Sequence, residues 1–305
     1  LTPLPAASIL RRARRIASDQ LPASAPTMKV SVRFSFGLAV LLTLAVLALL
    51  APWVAPHDPL EQDLLNTFQP PAWFETGSRA FQLGTDSLGR DILSRLIYGA
   101  RAAITVAAVA AVLAALLGSI LGLLSGYLGG VVDAIISRLV EVWMAFPPVL
   151  LSIVLAAVLG AGLHTVVIAI VVIDWTRFCR VVRAEVMVQR SRDYVASAVT
   201  IGLPPMRILA SEIVPNVVPL FVTLLSLEMG IAIVVEAILS FAGLSVANDT
   251  ATWGSMIQEG RQYVRQAWWL MALPMGCIIV SVLAMNALGD GLRELVDPLS
   301  RSARR

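Results

Sequence analysis

Residues 102–132 read AAITVAAVAAVLAALLGSILGLLSGYLGGVV, 31 positions without a charge. A bilayer crossing takes about 20 consecutive apolar residues as a helix. The first twenty or so of this stretch are therefore expected to cross a membrane, with residues 126–130 as the exit turn. The rest of the chain has the same character. Of 305 residues, 58% are hydrophobic and 14% are charged, against roughly a quarter charged in average soluble domains. That excess of apolar side chains needs lipid to face, so a soluble fold is excluded.

Working outward gives further spans. Residues 34–56 carry no charge and end in Ala51-Pro52-Trp53-Val54-Ala55-Pro56, where prolines stop a helix and Trp53 suits the headgroup level. Residues 57–101 hold ten charges and read as an extramembrane loop. After a short polar stretch at 133–141, residues 142–173 are uncharged, too long for one span. Gly160-Ala161-Gly162-Leu163-His164 divides them into spans three and four, the latter running past Asp174 to about Val182. Residues 183–214 are polar and basic. Span five follows Pro215 to about Val235, 241–266 form another polar loop, and span six covers about 267–286.

Six spans put both ends on one side. The loops on that side hold 17 Lys and Arg and the other loops 6, so the positive-inside bias makes both termini cytoplasmic. Domain boundaries follow: an N-terminal extension at 1–33, the first span at 34–56, an external loop at 57–101, a five-span core at 102–289 and a tail at 290–305. Arg11, Arg12, Arg14 and Arg15 precede any apolar run, so no signal peptide is read. Met28, just ahead of Lys29 and Arg33, is a candidate start, and residues 1–27 are expected to be dispensable.

The basic stretch 183–214 asks for a mechanical explanation. A channel or proton-coupled carrier has no need of it, whereas a pore driven by an external motor needs a rigid element that docks on that motor. Asp193-Tyr194-Val195-Ala196-Ser197-Ala198-Val199-Thr200-Ile201-Gly202 predicts a short helix. The small Ala196, Ser197 and Ala198 would form its contact face. Gly202 can take positive φ and end it, and Pro204-Pro205 would start the next helix.

This stretch, continuing through Ile213 and Pro215, resembles the E-A-A…G…I-x-P loop of binding-protein-dependent ATP-binding-cassette (ABC) permeases. The usual Glu is replaced by Ala196 and the following Ala by Ser197, which removes any salt bridge from that position. Further segments are similar to C-type subunits of dipeptide, oligopeptide and nickel permeases. They are Leu83-Gly84-Thr85-Asp86-Ser87-Leu88-Gly89-Arg90-Asp91-Ile92-Leu93-Ser94-Arg95, then Leu239-Ser240-Phe241-Ala242-Gly243-Leu244, Trp253-Gly254, Glu259-Gly260, Gly289-Asp290-Gly291-Leu292-Arg293 and Asp297-Pro298. The similarity runs from about residue 34 to 300.

The resemblance implies an all-α membrane fold of the type I ABC importer permease kind, in a bacterial inner membrane. It implies a second permease subunit, two cytoplasmic ATPases carrying ATP and Mg, an external solute-binding protein, and alternating access. Ala196, Ser197, Ala198, Gly202, Ile213 and Pro215 would couple the subunit to its ATPase. A short peptide is the expected cargo; nickel, an opine or a glutathione-like solute would use the same machine, and a secondary transporter is the rival from another class.

Several residues carry two readings. Asp86, Arg90 and Asp91 either fold the first external loop through carboxylate–guanidinium pairs or touch the binding protein. Glu228 and Glu236 lie within or near span five, about 80° apart on a helix. Acids at membrane depth face a bundle interior or a wet cavity, so they either line the pathway or are structural. Asp174 and Arg177, three apart, are expected to pair. No Gly-x-x-x-x-Gly-Lys-Ser/Thr phosphate loop occurs and the only lysine is Lys29, so ATP is expected on another chain, and no catalytic residues are assigned. Cys179, Cys277, His57 and His164 lack partners at ligand spacing, so neither a disulfide framework nor a metal site is expected. Lipid is the surrounding partner; nucleic acid is not expected.

Overall fold

The computed structural model describes residues 32–244 and 250–296. The extension with Met28 and the Asp297-Pro298 pair lie outside the described residues. The regular elements described are helical, and backbone pairing of strand type is confined to an isolated bridge between Thr85 and Asp91. In chain order the α-helices are α1 (Val32–Leu49), α2 (Ala51–Val54), α3 (Ile92–Leu128), α4 (Gly130–Met144), α5 (Pro148–Leu159), α6 (Leu163–Arg190), α7 (Asp193–Thr200), α8 (Pro205–Ile208), α9 (Val214–Phe241), α10 (Trp253–Gly260) and α11 (Trp269–Val296). A π-turn at Leu209–Ile213 joins α8 to α9.

Among the described residues, four helical stretches are long and apolar enough to cross a membrane: α1, α3, the run from α8 through α9, and α11. The α4–α5 pair makes a fifth if its 85° bend is taken within one span. The bend follows from Pro147 and Pro148, which end α4 and open α5. The remaining expected span, α6, has 28 residues but carries Asp174, Arg177, Arg180 and Arg183. Its length suffices to cross a membrane, and its charges set it apart from the apolar helices.

One expected boundary shifts. Helix α3 starts at Ile92, ten residues before the charge-free stretch. Asp91 caps it: the Asp91 carboxylate accepts from the Ser94 backbone N–H at 3.0 Å, satisfying an orphan donor of the first turn. Arg95 and Arg101 therefore lie on the helix, not in the loop. Charge marks where a segment meets water; it does not end a helix.

Packing turns on small residues. Along α3, Gly118, Gly122 and Gly126 face α6, and a Cβ at each would meet the carbonyl oxygens of Trp175, Cys179 and Arg183 at 2.1, 2.6 and 2.8 Å. Between helices in lipid the driving force is close van der Waals contact, which small-xxx-small spacing permits. Ala103, Ala107, Ala110 and Ala114 are buried further toward the start of α3. Gly37 brings α1 against Ala284 and Leu288 of α11, and Gly254 brings α10 onto Ala237 of α9. The opposite side of α3 presents Leu113, Leu116, Leu117 and Ile120 outward, a surface fit for lipid or a partner helix.

Candidate functional site

The basic loop folds into the short helix expected of it. In α7, Val195 and Ala198 share the inner face, three residues apart, and sink into an apolar cluster with Val182, Val186, Ile208, Leu209, Ile213 and Val217. Gly202 has φ +79° and follows the helix end. Its N–H donates to the Val199 carbonyl at 3.0 Å, and the Leu203 N–H reaches back to Ala198 at 3.2 Å. These two bonds are the Schellman pattern that terminates a helix on a left-handed residue. Pro204 and Pro205 then open α8.

The expected contact face needs one correction. Ala196 and Ser197 are exposed, but Ala198 is buried at 5% exposure. Its small size serves internal packing against α6 and α9, and Val199, at 60% exposure, takes its place outside. Ile213 is likewise buried and anchors the loop, whereas Pro215 is exposed in the first turn of α9. Ile201 and Met206 add to the outer apolar surface. The loop is braced at its flanks: the Tyr194 hydroxyl donates to Gln189 at 2.8 Å and accepts from Asn216 at 3.4 Å.

At the start of α3, the family-like segments converge. Asp86 accepts from the backbone N–H of Arg90 at 3.0 Å and from Arg90 Nε at 2.7 Å, and it also pairs with Arg95. Both guanidinium groups reach Glu259 of α10, Arg90 at 2.6 Å and Arg95 at 2.8 and 3.1 Å. Trp253 Nε1 donates to the Leu96 carbonyl at 3.0 Å. Asp91 holds Ser94, and the Ser94 hydroxyl in turn accepts from the His57 N–H at 3.0 Å. Asp86, Arg90 and Asp91 are 3%, 8% and 2% exposed. The carboxylate–guanidinium network thus consumes these side chains, leaving little of them for an outside partner. Glu259, which closes the network, was visible in the sequence only as part of a motif.

A second charged cluster lies in the middle of the helices. Glu228 of α9 is 1% exposed and accepts from Arg177 of α6 at 3.1 Å. Asp174, one turn earlier on α6, lies 3.8 Å from the same guanidinium. The expected Asp174–Arg177 pair is therefore present but is the looser of the two. The Glu228 and Asp174 carboxyl groups also lie within hydrogen-bonding reach of each other, so two acids share the one guanidinium. Glu236 is also 1% exposed and accepts from the Ser240 hydroxyl at 2.5 Å. Near the end of α6, Arg183 makes a bidentate pair with Asp133 of α4, at 2.5 and 2.7 Å, and Ser125 of α3 also donates to Asp133. That three-helix tie was not foreseen, because fifty residues separate its charges.

Asp174, Arg177 and Arg180 border a cavity of about 600 Å³ between α4, α5 and α6, with Trp143, Phe146 and Leu151 across it. This volume falls within the range of small-ligand pockets.

Residues 118–302 match the family of the binding-protein-dependent transport system inner membrane component, and residues 33–71 match the N-terminal TM domain of oligopeptide transport permease C. The di/tripeptide transport system permease protein DppC of Pseudomonas aeruginosa is 41% identical over 88% of this chain and 88% of its own. The dipeptide transport system permease protein DppC of Escherichia coli K12 is 42% identical over 86% of this chain and 87% of its own. Among solved structures, the MetNI methionine ABC transporter in an inward-facing conformation aligns with a TM-score of 0.57, at 16% identity, over 67% of this chain and 96% of that one. That likeness is one of fold. The chain is a multi-pass inner-membrane protein, and it belongs to the family of the binding-protein-dependent transport system inner membrane component.

Proposed function

We propose that this subunit works in an ATP-driven importer whose cargo is a di- or tripeptide. The observation that carries the cargo is the near full-length relation to permeases named for dipeptide and di/tripeptide transport. The subunit pairs with a second permease. Two cytoplasmic ATPases supply ATP and Mg, so this chain performs no hydrolysis itself. A solute-binding protein delivers the peptide from outside. Both termini and the α7 loop face the cytoplasm, as the 17-to-6 distribution of basic residues favours.

Helix α7 passes force to the pore. Its support is geometric: a glycine-terminated helix with an exposed apolar side, seated on α6 and α9 by Val195, Ala198 and Ile213. Glu228, buried behind Arg177, holds that guanidinium at the peptide pathway, and Glu236, which accepts from Ser240 one turn along the same helix, is structural. Contact with the binding protein falls to exposed parts of the first external loop, braced from beneath by Asp86, Arg90 and Asp91.

The test is reconstitution of the subunit with its partner permease, ATPases and binding protein in proteoliposomes. ATP-dependent accumulation of labelled dipeptide, absent without the binding protein, is the expected result. Accumulation of Ni²⁺ in place of peptide would overturn the cargo. Uptake without ATP that collapses with the proton gradient would overturn the class.

A further inference from the structure

The cavity between α4, α5 and α6 has a charge pattern that matches a particular ligand. Asp174 and Arg180 lie on the same helix, six residues apart, and both border the cavity. At about 1.5 Å of rise per residue they are separated by roughly 9 Å along the axis. Fully extended peptide covers at most about 3.5 Å per residue, so two or three residues span roughly 7–10 Å. An acid and a base that border one cavity match the two charged ends of a di- or tripeptide in sign, and because they sit about 120° apart around the helix the long side chain of Arg180 supplies the reach.

The state of each side chain supports this. Asp174 is 8% exposed and pairs with Arg177 at 3.8 Å, a cation that it shares with Glu228. Arg177 is committed to Glu228. Arg180 has no carboxylate within ion-pair distance among the described residues, and its guanidinium rests on the Met144 sulfur at 3.3 Å. Two acids, Asp174 and Glu228, thus share one guanidinium, while the guanidinium of Arg180 lacks a carboxylate, which leaves charge of each sign beside the cavity for a ligand to meet. Across the cavity, Trp143, Phe146 and Leu151 offer apolar surface to side chains of any kind. Such a site holds the constant part of a peptide and tolerates the variable part.

We propose that this wall is a peptide-terminus subsite: Asp174 receives the ammonium group, Arg180 receives the carboxylate, and Arg177, held by Glu228, is the positioning residue between them. The inference rests on the peptide reading of the cargo above.

The experiment uses the assembled complex in proteoliposomes, with uptake of a labelled dipeptide normalised to assembled complex. Arg180→Gln should lower uptake about tenfold, the effect of losing one charge-assisted contact, and Arg180→Lys should recover most of it. Asp174→Asn should fall by a similar factor. A dipeptide with a photoreactive side chain, delivered by the binding protein during turnover, should label α4 or α5 in the parental complex and lose that label in Arg180→Gln. Arg180 is exposed in the subunit, so its replacement keeps the fold even if Asp174→Asn fails to assemble. Parental uptake and labelling in Arg180→Gln would sink the subsite while leaving the peptide importer standing. No dipeptide uptake by the parental complex would sink the cargo reading, and the subsite with it.

Discussion

Arg177 of α6 reaches across to Glu228 of α9 at 3.1 Å, and it does so from a side chain 46% exposed to one 1% exposed. The pair is lopsided: the acid depends on the base for its stability far more than the base depends on the acid. Removing the base alone leaves a carboxylate buried among apolar helices without compensation.

Arg177→Ala should therefore destabilise the subunit by about 1–3 kcal/mol. The exposure of Arg177 keeps the figure below that of a fully buried pair. Adding Glu228→Gln should restore much of the loss, because a neutral amide is cheaper to bury. Thermal unfolding of the purified complex measures both. A double variant no more stable than Arg177→Ala would show that the pair is not the source of the effect.

Gly202→Asp should uncouple transport. A Cβ at Gly202 meets nothing within 4 Å, so the subunit has room for the new side chain. The cost inside the chain is conformational, about 1 kcal/mol at φ +79°. Insertion and pairing with the other permease should survive, while the charge meets the ATPase surface and must be desolvated. Ser197→Trp should act likewise by bulk, since Ser197 is exposed on α7. Binding-protein-stimulated ATP hydrolysis and vesicle uptake are the readouts. Parental rates in both variants would remove α7 from the coupling role.

Topology can be read by labelling. With Cys179 and Cys277 replaced by Ser, a Ser197→Cys subunit should be shielded from an impermeant thiol reagent in intact cells. Thr76→Cys, exposed in the loop before α3, should react. The reverse pattern would invert the orientation.

Asp86→Asn should weaken the external end of α3. Arg95 is 4% exposed at its side chain and relies on Asp86 and Glu259. Halving its counter-charge while burying it should cost about 2–4 kcal/mol, seen as a lower melting temperature and lower yield of assembled complex. A melting temperature equal to the parental one would mean that Glu259 suffices.

Local signals were legible in the sequence. Gly202 as a helix terminator, Pro204-Pro205 as a helix start and the long apolar stretches each depend on neighbours a few residues apart. What escaped were pairings between distant positions. Glu259 meets Arg95 across 164 residues and Glu228 meets Arg177 across 51, and no periodicity links such sites. Helix α3 reaches ten residues ahead of the charge-free stretch because Asp91 caps it and because Arg95 is neutralised inside the fold by Asp86 and Glu259, partners that lie far along the chain or outside the helix. The burial of Ala198 was readable: Val195, three residues before it, marks the inner face, and both cannot point outward.

The glycine seam between α3 and α6 sets the stiffness of the molecule. Two helices whose backbones touch at three successive turns have no slack between them, so they tilt as one beam. Only Ser191 and Arg192 separate α6 from α7. A displacement of α7 is then not absorbed locally. It swings a beam of about 55 Å, the length of the 37-residue α3, and the opposite end of that beam is the ion network around Asp86. Lengthening the α6–α7 joint by a few flexible residues would act as a slipping clutch, leaving every contact in place and delivering no stroke.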